Sequence, residues 1–418
     1  MLHKVKEQIG SFLPALRSKN YRLFFVGQGI SLVGSWMRMI AEQWLVYPIL
    51  TTNKSLLGLI GAVGMLPMLF FVLFAGVLVD RVNKRNVFLL FQFIYTAIAL
   101  ALFFLIATHQ IQLWHIFVAA LISGTIMAFE SPTRMTFVMD LVEKKDLPSA
   151  LALNQAMFNS ARAVGPALAG FTIAAIGIAP AYLANGLSFF AVIASIYMMR
   201  FPKVEQSAIP HLPILKGLKE GFQFIKNHKI YLALLGIVGI MTFFSWPIAT
   251  LLPVFAHDVY KTGEVGFGLL QSAFGIGAVV AGLSFHWLFS KVQRKYLLIY
   301  IGMAVTVLMF SMFAWAPWFW MALATQMFGG WAISTTYATA NTLIITTIPQ
   351  EFRGRIMSIY MFVFMGGMPF GALLSSGLVS LYGPRLTVFL CAIATFVAGL
   401  TLILSMREKL QSKIMTMA

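Results

Sequence analysis

"GVLVDRVNKR", residues 76–85, closes a stretch, 55–79, with no charged side chain, and then sets Asp80, Arg81, Lys84 and Arg85 within six positions. A charge-free run longer than about 20 residues is what an α-helix needs to cross roughly 30 Å of hydrocarbon. The abrupt return of charge marks where the chain re-enters water, and the excess of bases marks the side it reaches.

The same pattern recurs along all 418 residues. Of these, 60% are hydrophobic and 10% charged, whereas soluble proteins carry about a quarter charged residues, so a water-facing surface is excluded. Strand-period alternation is absent, which excludes a barrel. The fold class is all-α and polytopic, with twelve spans at 22–49, 56–79, 87–107, 113–138, 149–177, 181–199, 230–256, 265–289, 296–315, 318–346, 354–381 and 386–405.

Twelve spans put both termini on one side. Of 30 Lys and Arg residues, 25 then fall on the termini side, three (Lys54, Lys261, Arg385) on the other, and two, Arg38 and Arg162, inside spans. The positive-inside bias makes the termini side cytoplasmic. The net charge of +17 is therefore an orientation signal: the bases flank apolar segments and form no nucleic-acid patch. The single cysteine, Cys391, excludes an internal disulfide. Residues 1–21 read as a basic amphipathic segment on the cytoplasmic membrane surface, and 407–418 as a cytoplasmic tail.

The polar loop 200–229 divides the chain into six-helix units 22–199 and 230–406. "VGPALAGFTIAAIG" (164–177) and "GMPFGALLSSGLVSLYG" (367–383) share the placement of Pro, small residues and a closing Gly, with Pro166 and Pro369 lying 203 positions apart. Two six-helix bundles around a midplane cavity form a transporter architecture.

Here the residues carry a family resemblance. "GVLVDRVNKR" resembles the signature turn of the major facilitator superfamily, Gly-x-x-x-Asp-Arg-x-Gly-Arg-Arg, with Asn83 where Gly is usual; Asn tolerates a left-handed backbone. "GQGISLVGSWMRMIAEQWLVY", "AFESPTRMTFVMDLV", "ALALNQAMFNSARAVGPALAG", "LLPVFAHDVY" and "EFRGRIMSIYMFVFMGGMPFGALLSSGLVSLYGPRLT" resemble the branch of enterobactin-type siderophore exporters and macrolide efflux pumps. The resemblance implies two pseudo-symmetric bundles in a bacterial inner membrane, a proton gradient as the only energy source, and a monomer that binds a small molecule and membrane lipids, with no nucleic acid, cofactor or metal.

It also implies a cytoplasmic gate. Asp80 would meet the N-terminus of span eleven when that gate is shut, gaining about 0.3–1 kcal/mol from the helix dipole, with Arg81, Lys84, Arg85 and, at span eleven, Arg353 and Arg355. On span four, Glu130 and Arg134 lie one turn apart and can pair, with Asp140 nearby, as a gate network with the 80–85 turn or as a passive ion pair.

The residues inside the spans carry the binding chemistry. Arg38 and Glu42 on span one continue a stripe, Gly27, Ser31 and Gly34, that faces the bundle interior; the pair is a candidate for proton or substrate chemistry or a silent salt bridge. Arg162, roughly 20 Å from the cytoplasmic end of span five, needs an acid, a carbonyl or an anionic substrate as partner. Ser31, Gly34, Asn159, Trp246, Gln271, Gln326, Tyr337 and Asn341 are candidate cavity lining, although small and aromatic residues also serve ordinary helix packing. His257 and Asp258, beside Lys261, read as a solvated loop at the outer end of span seven.

No phosphate-binding Gly-x-x-x-x-Gly-Lys is present, which argues against direct ATP coupling. The expectation is a proton-coupled exporter of a lipophilic or siderophore-like molecule by alternating access. The alternative is a lysophospholipid or lipid flippase of the same fold. A membrane enzyme or sensor lacks its signature: there is no cysteine cluster and no His-x-x-x-His.

Overall fold

The computed structural model describes residues 14–79, 83–199 and 214–414, and within them every regular element is helical. In the first half these are α1 (Lys19–Trp44, continued by a π-helical segment Leu45–Leu50), α2 (Ser55–Val79), α3 (Lys84–Ala107), α4 (Leu113–Asp140), α5 (Leu147–Ile176) and α6 (Ala179–Met198). In the second half α7 starts at Lys229–Ile240 and continues irregularly to Val259, followed by α8 (Gly263–Lys291), α9 (Tyr296–Trp315) and α10 (Phe319–Thr347). The last element, Gln350–Ile414, is two helices, α11 (350–382) and α12 (384–414), parted at Gly383, whose φ of 77° is open to glycine but strained for other residues. The protein is thus a twelve-helix membrane protein.

Asp80 and Arg81 lie outside the described residues, as do 1–13, most of the expected surface segment. Helix α12 runs to Ile414, past the point where a tail is expected. The central connection is not wholly a loop: Ile214–Asn227 is a helix with its own strongly amphipathic pattern, and it packs against α11.

Local chemistry explains where the helices start and bend. Ser18 caps α1 by accepting from the Tyr21 amide at 3.2 Å. Asn83 departs from expectation: its backbone is extended (φ −69°, ψ 104°), not left-handed, and its side chain accepts from the Asn86 amide to cap α3. Its advantage over Gly is thus an N-cap oxygen. In α7 the regular helix gives way at Met241 to π-helical and 3₁₀ segments around Pro247 and Pro253, each of which lacks the amide that would continue the ladder.

Among the described residues, eight stretches are long and apolar enough by themselves to cross a bilayer, and one of them, Gln350–Leu402, holds parts of both α11 and α12. Helices α5 and α10 fall short because their polar positions, such as Arg162 and Gln326, replace apolar ones. These face protein instead of lipid.

Within the first half, α1 packs between α5 and α6, α4 against α2, and α3 against α6; within the second, α8 packs on α10, and α9 on α10 and α12. The halves meet through α5 with α8 and α2 with α11. These meetings lie in the half of the molecule away from the termini. Ser55 bonds Ser380 at 2.8 Å, Gly58 abuts Ala372 and Ser376, Gly170 abuts Glu264, and the deepest approaches are Ala163 to Gly275 and Leu69 to Gly366. Toward the termini the same two faces are exposed, at Ala152, Gln155 and Ala156 on α5 and at Gly282 and His286 on α8. The halves are therefore closed at the far end and parted at the termini end.

Candidate functional site

Arg162 on α5 sits where four other helices converge. Its guanidinium lies 4.6 Å from the Phe274 ring centre (α8), 4.8 Å from Trp246 (the bend of α7) and 5.9 Å from Trp36 (α1). The Tyr337 hydroxyl of α10 is close enough to act on it electrostatically. No acid and no hydrogen-bond acceptor meets it among the described residues, and the side chain is only partly covered. An arginine at mid-span costs roughly 2.5–3.5 kcal/mol, and cation–π contacts return about 0.5–2 kcal/mol each. The aromatic faces thus make the charge tolerable while its five N–H donors stay available.

The unused capacity extends along α10. Tyr337 Oη, Gln326 Nε2 and Asn341 Oδ1 are buried with no partner among the described residues. Tyr337 stands edge-on to Phe364 at 5.1 Å and beside Trp246 at 6.1 Å. A buried polar group with no partner costs about 1–3 kcal/mol, so Tyr337 beside a cation that has no acidic partner among the described residues, with Asn341 one turn further along α10, marks a site prepared for a polar, negatively charged group.

Of the expected cavity residues, the structure brings Trp246 and Tyr337 to Arg162, and Asn159 lies one turn away on α5. Others serve elsewhere. Ser31 and Gly34 lie in the seam between α1 and α6, where Gly27 fits against Ser195 and Gly34 against Ser188, so this stripe is interior packing and not cavity wall. Gln271 donates to the Ala249 carbonyl at 3.3 Å and ties α8 to α7. Trp36 and Phe274 were absent from the sequence expectation, because nothing in their own neighbourhood distinguishes them from other aromatics.

Arg38 and Glu42 form an ion pair inside the first half, beside the buried Tyr182 of α6, whose hydroxyl is unpartnered among the described residues. Tyr95 of α3 lies within electrostatic reach of Arg38 and also of Glu130 and Arg134. The two intraspan pairs therefore share one polar neighbourhood across α1, α3, α4 and α6.

At the termini end, the described gate residues tie elements within each half. Lys84 pairs with Asp140 at 2.9 Å, joining α3 to α4, while Glu130 and Arg134 stand 3.7 Å apart on α4. Arg85 reaches Tyr197 of α6 with its guanidinium 5.9 Å from the ring. Arg355 pairs with Glu220 of the connector helix, and Arg353 is exposed.

The far end carries a closure that the sequence reading assigned to a solvated loop. Asp258 of α7 takes the Tyr47 hydroxyl at 2.7 Å and the Lys54 ammonium at 2.6 Å, both from the first half, and its neighbour His257 at 2.7 Å. Trp44 stacks on Phe267 of α8 and stands edge-on to His257. Asp258 and His257 are thus one side of a latch between halves. The signal available in the sequence was an acid set among aromatics at the end of a span; its partners lie 204 and 211 positions away.

Two six-helix halves, joined through α5–α8 and α2–α11 around a polar centre, are the architecture of a secondary transporter. The comparisons make the class specific: residues 9–416 match the family described as transmembrane secretion effector, and the chain belongs to this family of the major facilitator superfamily. It is similar to the staphyloferrin A transporter of Staphylococcus aureus (strain NCTC 8325 / PS 47), at 26% identity over 90% of this chain and 93% of the relative. Macrolide efflux protein A of Streptococcus pyogenes is 24% identical over 85% and 89%, and multidrug efflux pump Tap of Mycolicibacterium fortuitum 23% over 88% and 90%. Among solved structures, a bacterial homologue of the iron transporter ferroportin in an inward-facing state aligns with a TM-score of 0.71 at 14% identity, over 92% of this chain and 98% of that one. The nucleoside transporter NupG aligns at 0.68 and 15%, over 92% and 98%. The protein is a multi-pass membrane transporter of the efflux type and not an enzyme.

Proposed function

We propose that the chain exports a small amphipathic, siderophore-like molecule bearing an anionic group from the bacterial cytoplasm across the inner membrane, in exchange for protons, by alternating access. The observation that carries this reading is Arg162, a mid-span cation with aromatic faces around it and no acid to meet it among the described residues. A carboxylate takes up its forked donors, Tyr337 and Asn341 supply further polar contacts, and Trp36, Trp246 and Phe274 wall the apolar part.

The excess of bases at the termini end supports a cytoplasmic placement of both termini. On that placement the described arrangement is open to the cytoplasm and latched outside at Asp258. Substrate binding at Arg162 draws the halves together, the turn around Asp80 locks the cytoplasmic mouth, and the latch releases. Glu42, paired with Arg38, is the acid placed to exchange a proton in each cycle. The transporter works as a monomer with the proton gradient as its only energy source. The relatives' names include a siderophore and macrolides and give no support to a lipid flippase.

Thermal melting of the purified protein against a panel of carboxylate siderophores, neutral macrolides and lysophospholipids tests this. A carboxylate ligand at a hundred times its Kd should stabilise by about 2.7 kcal/mol, and Arg162→Gln should remove that shift. Stabilisation by neutral macrolides alone, unaltered in Arg162→Gln, defeats the anion reading; stabilisation by lysophospholipid favours the flippase.

A further inference from the structure

Helices α5 and α6 pack on opposite sides of α1 and leave a strip of it uncovered. On the α5 side, Gly165 fits against Val33 and Trp36; on the α6 side, Gly27 and Gly34 fit against Ser195 and Ser188. Between these contacts Arg22, Val26 and Ile30 follow one another at four-residue spacing, all exposed. This strip and α6 enclose a groove of about 420 Å³ at the termini end of the molecule, with Ala194 and Met198 on its α6 wall.

The groove is apolar along its length and basic at its mouth. Val26 is 60% exposed, Ile30 51% and Met198 63%. The one hydroxyl in its lining, Ser195, is spent on the Val192 carbonyl at 2.8 Å, so the floor offers no polar contact. Lys19 and Arg22 stand at the mouth without an acidic partner among the described residues. At the related α7–α12 crossing Gly236 meets the bulky Leu402 side chain, whereas Gly27 meets only Ser195 and the Ala191 carbonyl. Small residues on α6 keep the groove open in the first half.

A sideways-opening apolar slot with paired cations at one end fits one class of molecule in a bilayer. We propose that this groove holds one anionic phospholipid of the leaflet on the termini side, its head group between Lys19 and Arg22 and an acyl chain along Val26, Ile30 and Ala194. Bases near an anionic membrane surface each contribute to such binding, while the slot selects a lipid over a free anion. The site is separate from the polar centre at Arg162 and independent of the reading given to it.

Native mass spectrometry of the purified full chain, with phosphatidylglycerol and phosphatidylcholine added in equal amounts, tests the assignment. The expected result is one retained phosphatidylglycerol preferred at least about fivefold, the effect of one favourably placed base. The preference should disappear in the double variant Lys19→Gln, Arg22→Gln. It should also disappear in Ala194→Leu, which fills the slot and leaves both charges, with melting temperature in detergent as the check that each variant is folded. No preference in the unmodified protein overturns the proposal, as does a preference that survives in either variant. Displacement of the lipid by millimolar inorganic phosphate overturns it too, because it reduces the site to a surface anion contact.

Discussion

Tyr47 and Asp258, 211 residues apart in the chain, meet hydroxyl to carboxylate at 2.7 Å across the two halves of the molecule. Lys54 adds its charge to the same carboxylate. A hydrogen bond to a charged group contributes about 1.5–3 kcal/mol, and a partly exposed ion pair up to about 1 kcal/mol. Removing the charge in Asp258→Asn should therefore shift the balance toward an open far end by about 5–150-fold. In a Cys391→Ser background with Ser55→Cys, labelling by an impermeant maleimide should accelerate accordingly. An unchanged labelling rate shows that the latch does not hold the mouth shut.

Gly58 of α2 touches α11 so closely that a side-chain carbon there runs into the Ala372 carbonyl and the Ser376 hydroxyl. Gly58→Val should keep the far end from closing. The variant should insert and fold, since the clash lies between halves and not within one, yet lose transport and label rapidly at the same reporter cysteine. Full export by Gly58→Val contradicts the packing described for α2 and α11.

Glu42→Gln keeps the size of the side chain and removes its charge opposite Arg38. Uptake into inverted vesicles under an imposed pH gradient should fall to background, while binding measured by melting shift persists. A silent salt bridge predicts instead a small loss of stability and unaltered uptake.

On the gate proposed for the 80–85 turn, Asp80→Asn should reduce export several-fold at normal expression, because a carboxylate at the start of α11 would gain from that helix's N-terminal dipole. Asp140→Asn, which frees Lys84 within one half, should cost stability more than turnover. Equal export by Asp80→Asn and the unmodified chain removes the gate from this turn.

The twelve helices were legible because the hydrocarbon imposes a length and a charge pattern that any spanning segment must show. The seam and the latch were not. Ser31 and Gly34 have the spacing of a cavity stripe, but small residues at helical period serve close packing equally well, and only the neighbour decides. Here the neighbour is Ser188 of α6. Asp258 read as solvated because its partners stand more than 200 positions away. Arg162 was recognisable as costly from its depth alone, but its aromatic enclosure is a property of four helices together. Asn83 was read through its backbone tolerance, whereas its side chain does the capping.

At Ala163 and Gly275 the backbones of α5 and α8 touch with no side chain between them. In the alternating access proposed above, a contact that bare serves as the fulcrum. From it the α8 arm toward the termini runs to Lys291, roughly 24 Å at 1.5 Å per residue, so a tilt of about ten degrees swings the arm's end by about 4 Å. A side chain larger than hydrogen at 275 would thicken the hinge and hold the two arms apart on both sides of it at once.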